Sequence, residues 1–162
     1  MNEHLIVILG PTASGKTSLA VKIAAEMDGE IISADSRQLY RRMDIGTGKD
    51  LDEYKLDGRE IPHHLIDVAD AGEKLTINDY ALLFADCLEA ITNRHKQPIL
   101  CGGSGLYIET ALHGNELSAI PVNQELRAEL YEMPKASIRA LYDDLDDKVK
   151  KKTDDSTLKR MI

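Results

Sequence analysis

Short apolar runs alternate along the chain with longer stretches in which apolar residues recur every three or four positions. This alternation predicts strands and helices in turn, packed around a parallel sheet. LIVIL (5–9) is apolar throughout, as a strand buried on both faces is, and Gly10 opens a turn behind it. From Gly15 onward, Leu19, Ala20, Ile23, Ala24 and Met27 recur on one helical face until Gly29. EIISA (30–34) reads as a second buried strand. Residues 41–60 hold several glycines and many charges with weak periodicity, which predicts a surface loop with short helical pieces, a setting that often carries function. HLIDV (64–68) can form a short strand. Thr76 and Asp79 have the spacing of a capping box and open a helix that runs to about Asn93, closed by Arg94, His95, Lys96 and Pro98. PILCGG (98–103) predicts a further buried strand entering a glycine turn, and SGLYIETAL the helix behind it.

The texture changes after Gly114. Asn123 can cap a helix with Leu126, Leu130 and Met133 on one face, ended by Pro134. Ser137 can cap a second, with Ile138, Leu141 and Leu145 turned inward, and Ser156 can start a third. The chain therefore divides into an α/β core over 1–116 and a helical segment over 117–162, without internal repeats or low-complexity stretches.

With 162 residues and 43% hydrophobic content, the chain can bury a sizeable core. No stretch approaches the ~20 apolar residues of a membrane span. Met1 to His4 leads straight into LIVILG without a basic region or a cleavage site, which predicts a cytoplasmic protein. Twenty basic residues against 28 acidic ones give a formal charge of −8, which argues against a protein that coats nucleic acid nonspecifically. A local basic groove stays open. Lys148, Lys150, Lys151 and Lys152, with Lys159 and Arg160, follow the acidic run Asp143, Asp144, Asp146 and Asp147, as a solvated helical face or as an RNA contact. Cys87 and Cys101 are too few and too far apart for a disulfide scaffold or a CxxC site, and are expected to be buried thiols.

GPTASGKT, Gly10 to Thr17, matches G-x-x-x-x-G-K-[ST] between a predicted strand and a predicted helix. The loop Gly10, Pro11, Thr12, Ala13, Ser14 and Gly15 can turn its backbone N–H groups inward as an anion cradle, an approach that bulky side chains at the glycines would block. Lys16 adds a mobile cation. The Thr17 hydroxyl can ligate Mg²⁺ carried in by a di- or triphosphate. Nucleotide hydrolysis usually adds a switch loop or an apolar strand ending in an acid, yet PILCGG ends in glycines. Asp35, at the end of EIISA, is the acid that remains, placed at the carboxyl edge where open α/β sheets bind ligands. It can serve as general base, as a partner to Mg²⁺, or as the cap of a turn. Ser36 and Gln38 beside it are suited to the polar edge of a base such as adenine.

Two other features are weaker. His63 and His64 are adjacent, so on an extended strand they point to opposite faces and cannot chelate one ion; Asp67 can orient a loop. Gly102, Gly103, Ser104 and Gly105 form a second strand-to-helix turn, open to an anion, to a substrate backbone, or to close helix packing alone.

GPTASGKT, ISADSRQLYRRMDIGTGK, IPHHLID and PILCGGSGLYIETALHG, in this order, resemble the tRNA dimethylallyltransferases, also called tRNA isopentenyltransferases. The likeness is strong over 5–116 and weaker on to DDSTLKRMI. Adenylate isopentenyltransferases share the phosphate loop but typically carry a different residue after the Asp, so DSRQ resembles the tRNA-modifying branch. The resemblance implies a P-loop NTPase-like parallel sheet flanked by helices, with the start of a helical insertion at the C-terminal end. It implies transfer of a dimethylallyl group from its diphosphate to the exocyclic amine of an adenosine next to the tRNA anticodon. Lys16, Thr17 and the backbone of 12–17 would hold the pyrophosphate with Mg²⁺; Asp35 would take the proton; Ser36 and Gln38 would hold the flipped adenine, with Arg37 among the tRNA-binding residues. Ser104 stands where the family usually has Thr near the tRNA, and Lys159 and Arg160 match a basic tRNA-contacting stretch. Family members are usually longer, with a further core strand and the rest of the helical insertion. This implies a fragment or short form whose transfer to tRNA is weak or absent and whose pyrophosphate binding is retained. The alternatives are a P-loop small-molecule kinase and a noncatalytic nucleotide- or RNA-binding module.

Overall fold

The computed structural model describes residues 4–49, 51–114, 123–151 and 155–157. They fall into two compact units, Met1–Ser118 and Ala119–Ile162.

In the first unit, strands β1 (Ile6–Leu9), β2 (Gly29–Ser33), β5 (His63–His64) and β6 (Gln97–Gly102) form one parallel sheet in the order β1-β6-β2-β5. Ile99 at its centre lies opposite both Ile6 and Ile31. Helices α1 (Lys16–Met27) and α2 (Ile77–Asn93) carry the connections from β1 to β2 and from β5 to β6, the 34–62 segment links β2 to β5, and α3 (Gly105–His113) follows β6. Because both faces of such a sheet are covered, its central strands are apolar at nearly every position. The period of two then sorts the side chains. Ile8, Ile31, Ile99 and Cys101 pack with Ala20, Val21 and Ala24 of α1. Ile32, Ala34 and Leu100 pack with Tyr80, Phe84 and Ile91 of α2 and Ile108 of α3. Insertion of β6 between β1 and β2 separates two strands that are consecutive in sequence, and their outgoing loops flank the glycine end of β6. Ligands of doubly wound sheets bind in such a crevice.

Several sequence expectations hold in detail. Thr76 and Asp79 form the reciprocal capping box at the start of α2, with Thr76 N donating to the Asp79 carboxylate (2.7 Å) and Asp79 N to the Thr76 hydroxyl (3.2 Å). Others change. The buried face of α1 is Ala20, Val21 and Ala24, while Leu19 and Met27 are about half exposed; small residues let the helix lie close to the sheet, and the larger ones turn away. The strand expected over 64–68 stops at His64, because Leu65 (φ 59°) and Asp67 (φ 56°) enter the left-handed region and bend the chain off the ladder. The 41–60 loop contains a 3₁₀ turn, Leu51–Tyr54, and also a small hairpin of β3 (Lys55–Leu56) and β4 (Arg59–Glu60). Asp57 and Gly58, both at positive φ, close it, as a two-residue hairpin turn requires.

The second unit contains α4 (Gln124–Glu132), α5 (Lys135–Asp143) and α6 (Asp147–Lys150). Asn123 caps α4 by accepting from Leu126 N at 3.0 Å, although Leu126 itself is exposed. Helix α5 starts after Pro134, one turn earlier than a Ser137 cap would place it, and buries Ile138 and Tyr142 with Leu141 and Leu145 outward. The i, i+4 pair carrying the larger ring has taken the inward face. Lys150 is tied to the Asp143 carbonyl (2.6 Å) and faces the Asp147 carboxylate (3.6 Å). The helix expected from Ser156 falls mostly outside the described residues, as do Lys152, Lys159 and Arg160. Among the described residues no helix is long and apolar enough to cross a membrane.

Candidate active site

The phosphate loop follows β1, where the sequence places it. Ala13 (φ 62°) and Gly15 (φ 79°) are both left-handed, which curves the backbone into a nest whose N–H groups converge ahead of α1. A Cβ at Gly10 would sit 2.9 Å from the Ser14 hydroxyl. Lys16 folds back over the loop and donates to the Pro11 carbonyl at 2.9 Å. Thr17 follows it in the first turn of the helix, half-buried.

Asp35 leaves the end of β2 at the same edge. Beyond the ladder, Ala34 N donates to the Cys101 carbonyl (2.8 Å) and Ser104 N to the Ala34 carbonyl (3.2 Å), so the two strand ends stay paired into their loops. This approach is possible because residue 102 is glycine: a Cβ there would lie 2.1 Å from the Ala34 carbonyl oxygen. A Cβ at Gly103 would come within 3.1 Å of the Gly10 carbonyl and 3.7 Å of the Lys16 ammonium. The second glycine turn thus serves close packing and leaves the floor beneath Lys16 bare.

The polar cluster after β2 is built by short local bonds. The Asp35 carboxylate accepts from Arg37 N (3.0 Å) and its carbonyl from Gln38 N (3.1 Å), so Asp35 does shape a turn, while no cation pairs with it among the described residues. Ser36 N donates to the Ser104 hydroxyl at 3.4 Å. The Gln38 amide is held at both ends, its oxygen accepting from the buried Ser33 hydroxyl (2.9 Å) and its nitrogen donating to the Gly48 carbonyl (3.1 Å). Arg37 is exposed. The phosphate loop, Asp35 to Gln38, Gly46 to Gly48, Tyr54 and Cys101 to Ser104 line one cleft of about 740 Å³.

Two of its supports have no signal in the hydrophobic pattern. Lys49, its side chain 1% exposed, donates to the Tyr40 carbonyl (2.6 Å), to Asp67 (2.5 Å) and to Asp44 (3.2 Å). Burial opposes its charge, yet the hydrogen bonds to Asp67 and Asp44 outweigh that and raise its pKa. The clip fastens the loop that carries Gly46 to Gly48, and gives Asp67 the orienting role its position suggests. Tyr54 is the other, delivered by the 3₁₀ turn.

The histidines diverge as expected. His63 lies against the Tyr54 ring with centroids 4.3 Å apart, and His64 Nε2 is 2.6 Å from the Glu30 carboxylate on another part of the sheet. No cluster of three or more His, Cys, Asp or Glu among the described residues could hold a metal. Cys87 and Cys101 are free, and burial pushes each thiol up to about 11, so neither is a nucleophile at neutral pH.

A strand–loop–helix anion cradle at the carboxyl edge of a helix-covered parallel sheet places the core in the P-loop NTPase-like fold. The sequence profile of the IPP transferase family matches residues 38–162, and the chain belongs to that family. It is 50% identical over 158 residues to tRNA dimethylallyltransferase 2 of Bacteroides fragilis, covering 98% of this chain and 51% of that protein. With tRNA dimethylallyltransferase 1 of Parabacteroides distasonis it shares 55% identity over 127 residues, 78% of this chain and 41% of the other. The crystal structure of the full-length tRNA isopentenylpyrophosphate transferase from Bacillus halodurans superposes with a TM-score of 0.66 at 38% identity, over 99% of this chain and 53% of that one. A eukaryotic dimethylallyltransferase captured acting on tRNA gives a TM-score of 0.78 at 27% identity, over 97% and 39%. The chain spans about half the length of the curated relatives it matches.

Proposed function

We propose that this chain forms the diphosphate- and adenine-binding core of a cytoplasmic tRNA dimethylallyltransferase, which moves a dimethylallyl group from its diphosphate to the exocyclic amine of an adenosine adjacent to the anticodon. The observation that carries this is the shared cleft: the phosphate cradle and the Asp35 carboxylate line one cavity, with the bare Gly102 and Gly103 backbone between them. The names of the relatives, at 50% and 55% identity, supply the reaction.

The chemistry follows from the arrangement. The amides of residues 12–17 and the Lys16 ammonium bind the diphosphate and stabilise the charge that grows on it as the carbon–oxygen bond breaks. The electron pair of that bond leaves with the diphosphate, the amine nitrogen bonds the allylic carbon, and Asp35 accepts the proton released. Ser36 and Gln38 hold the extruded adenosine, with Arg37, Ser104, Lys159 and Arg160 as contacts to the tRNA. A Mg²⁺ ion would suit the donors present, because Thr17 would offer it one hard oxygen beside the cradle while substrate and water oxygens could complete its shell. When bound, it neutralises charge on the leaving diphosphate.

The test offers dimethylallyl diphosphate and ATP in competition, with Mg²⁺ and unmodified tRNA, and identifies any product by mass. Preferential binding of dimethylallyl diphosphate is expected, with weak or absent transfer by this chain and an alkylated adenosine as any product that forms. Asp35→Asn should leave diphosphate affinity unchanged and remove whatever transfer the chain supports. ATP consumption with a phosphorylated product, or no affinity for the allylic diphosphate, would overturn the assignment.

A further inference from the structure

The reaction as drawn leaves one group in the cleft without a task. Tyr54 is 4% exposed, its ring packed with Ile8, Val21, Ile31 and Ile99 and set against His63. Its carbonyl accepts from Ile61 N at 2.8 Å, so the residue is anchored at both backbone and ring. It nevertheless lines the cleft together with the phosphate loop, Asp35 and Cys101. Among the described residues its hydroxyl makes no hydrogen bond, and the residue forms part of the cleft lining. Burial, reinforced by the nearby Cys101, Glu53 and Asp35, holds the phenol well above its usual pKa, so the group stays protonated and able to donate. A rigid, protonated donor in the lining of the cleft that also holds the anion cradle is placed to meet an anion bound there.

We propose that the Tyr54 hydroxyl donates a hydrogen bond to a phosphate oxygen of the bound diphosphate, as a neutral donor beside Lys16 and the loop amides. This rests on the diphosphate site inferred above and adds a binding residue to it. Tyr54→Phe keeps the ring, its packing and its contact with His63, and removes the donor alone. The chain and the variant are titrated with inorganic pyrophosphate in Mg²⁺ by calorimetry, and separately with adenosine. Pyrophosphate affinity is expected to fall roughly fivefold, the size of one neutral hydrogen bond, with adenosine affinity unchanged. The loss should persist at high salt, where the contribution of an ammonium shrinks. If the wild-type chain binds pyrophosphate and a folded Tyr54→Phe binds it equally well, the Tyr54 assignment fails and the cradle stands. If the wild-type chain does not bind pyrophosphate, both fail. Should the variant misfold, wild-type chain carrying fluorotyrosine provides a second measurement, since the Tyr54 resonance must shift on adding pyrophosphate and an unmoved resonance overturns the proposal.

Discussion

At the amino end of β2 the buried Glu30 carboxylate is claimed twice, by the Arg94 guanidinium through two bonds (3.0 and 2.7 Å) and by His64 Nε2 at 2.6 Å. Asp28 next to it pairs with Lys96 (2.5 Å) and faces Arg59 (3.7 Å). At the carboxyl end of the same strand, Asp35 touches a backbone amide and Lys16 a backbone carbonyl, and neither meets an opposite charge among the described residues. The sequence supplies acids and bases at both ends, and the fold uses them differently. Charges matched within the protein hold the strand to its helix. Charges held by backbone alone remain available to a ligand, and that availability costs stability the pairs would otherwise have given.

The contrast breaks most visibly at Glu30. Glu30→Ala strips a buried partner from Arg94 and His64 and should cost about 3 kcal/mol in chemical denaturation. Pyrophosphate affinity should not move, and a matching loss of affinity would show that the two ends are not separable. The hydrogen bond from Arg94, opposed by burial and aided by His64, holds the Glu30 carboxyl below its ordinary 4.5. A group lowered on folding stabilises fully above its unfolded value and loses that contribution as pH falls through the folded one. The stability gap between wild type and Glu30→Gln should therefore be full at neutral pH and close on acidification below 4.5, as checked by melts across that range.

The next effect belongs to the ligand end. Lys16→Ala removes a cation whose sole described partner is the Pro11 carbonyl. It should weaken pyrophosphate by about 2 kcal/mol, the scale of a charge-assisted hydrogen bond, and leave the thermal midpoint essentially unchanged. A fall in stability comparable to Glu30→Ala would mean that the loop lysine is a structural pair after all.

What can be read from the sequence follows what is local. The phosphate loop declares itself because glycine spacing, Lys16 and Thr17 are consecutive and their backbone requirement is fixed by sterics. The capping box at Thr76 is equally self-contained. Asp35 is legible at the carboxyl edge because a buried strand has one direction and one end. Tyr54 and Lys49 escape, since their roles depend on partners distant in sequence: Lys49 on Asp67, and Tyr54 on His63 and the core beneath α1. The hairpin β3–β4 has a signal in Asp57–Gly58, muted by strands of only two residues each. The orientation of α1 is not legible, because Ala, Val, Leu and Ile surround most of that helix and the choice of inward face falls to the space the sheet leaves.

The smallest test lies where the two ends meet. Ser33 is the last residue of β2, buried, and its hydroxyl donates to the Gln38 amide oxygen; the Gln38 nitrogen then fixes Gly48 across the cleft. Ser33→Ala leaves that amide oxygen without its donor, at a cost of about 1 kcal/mol in stability. If Gln38 serves the adenine, the freed amide should weaken adenosine binding several-fold while pyrophosphate, held by the loop on the other side of Gly103, binds as before. Equal losses for both ligands would mean that the cleft is one rigid unit, and that the neutral hydrogen bonds around Gln38 support the phosphate cradle as much as the base.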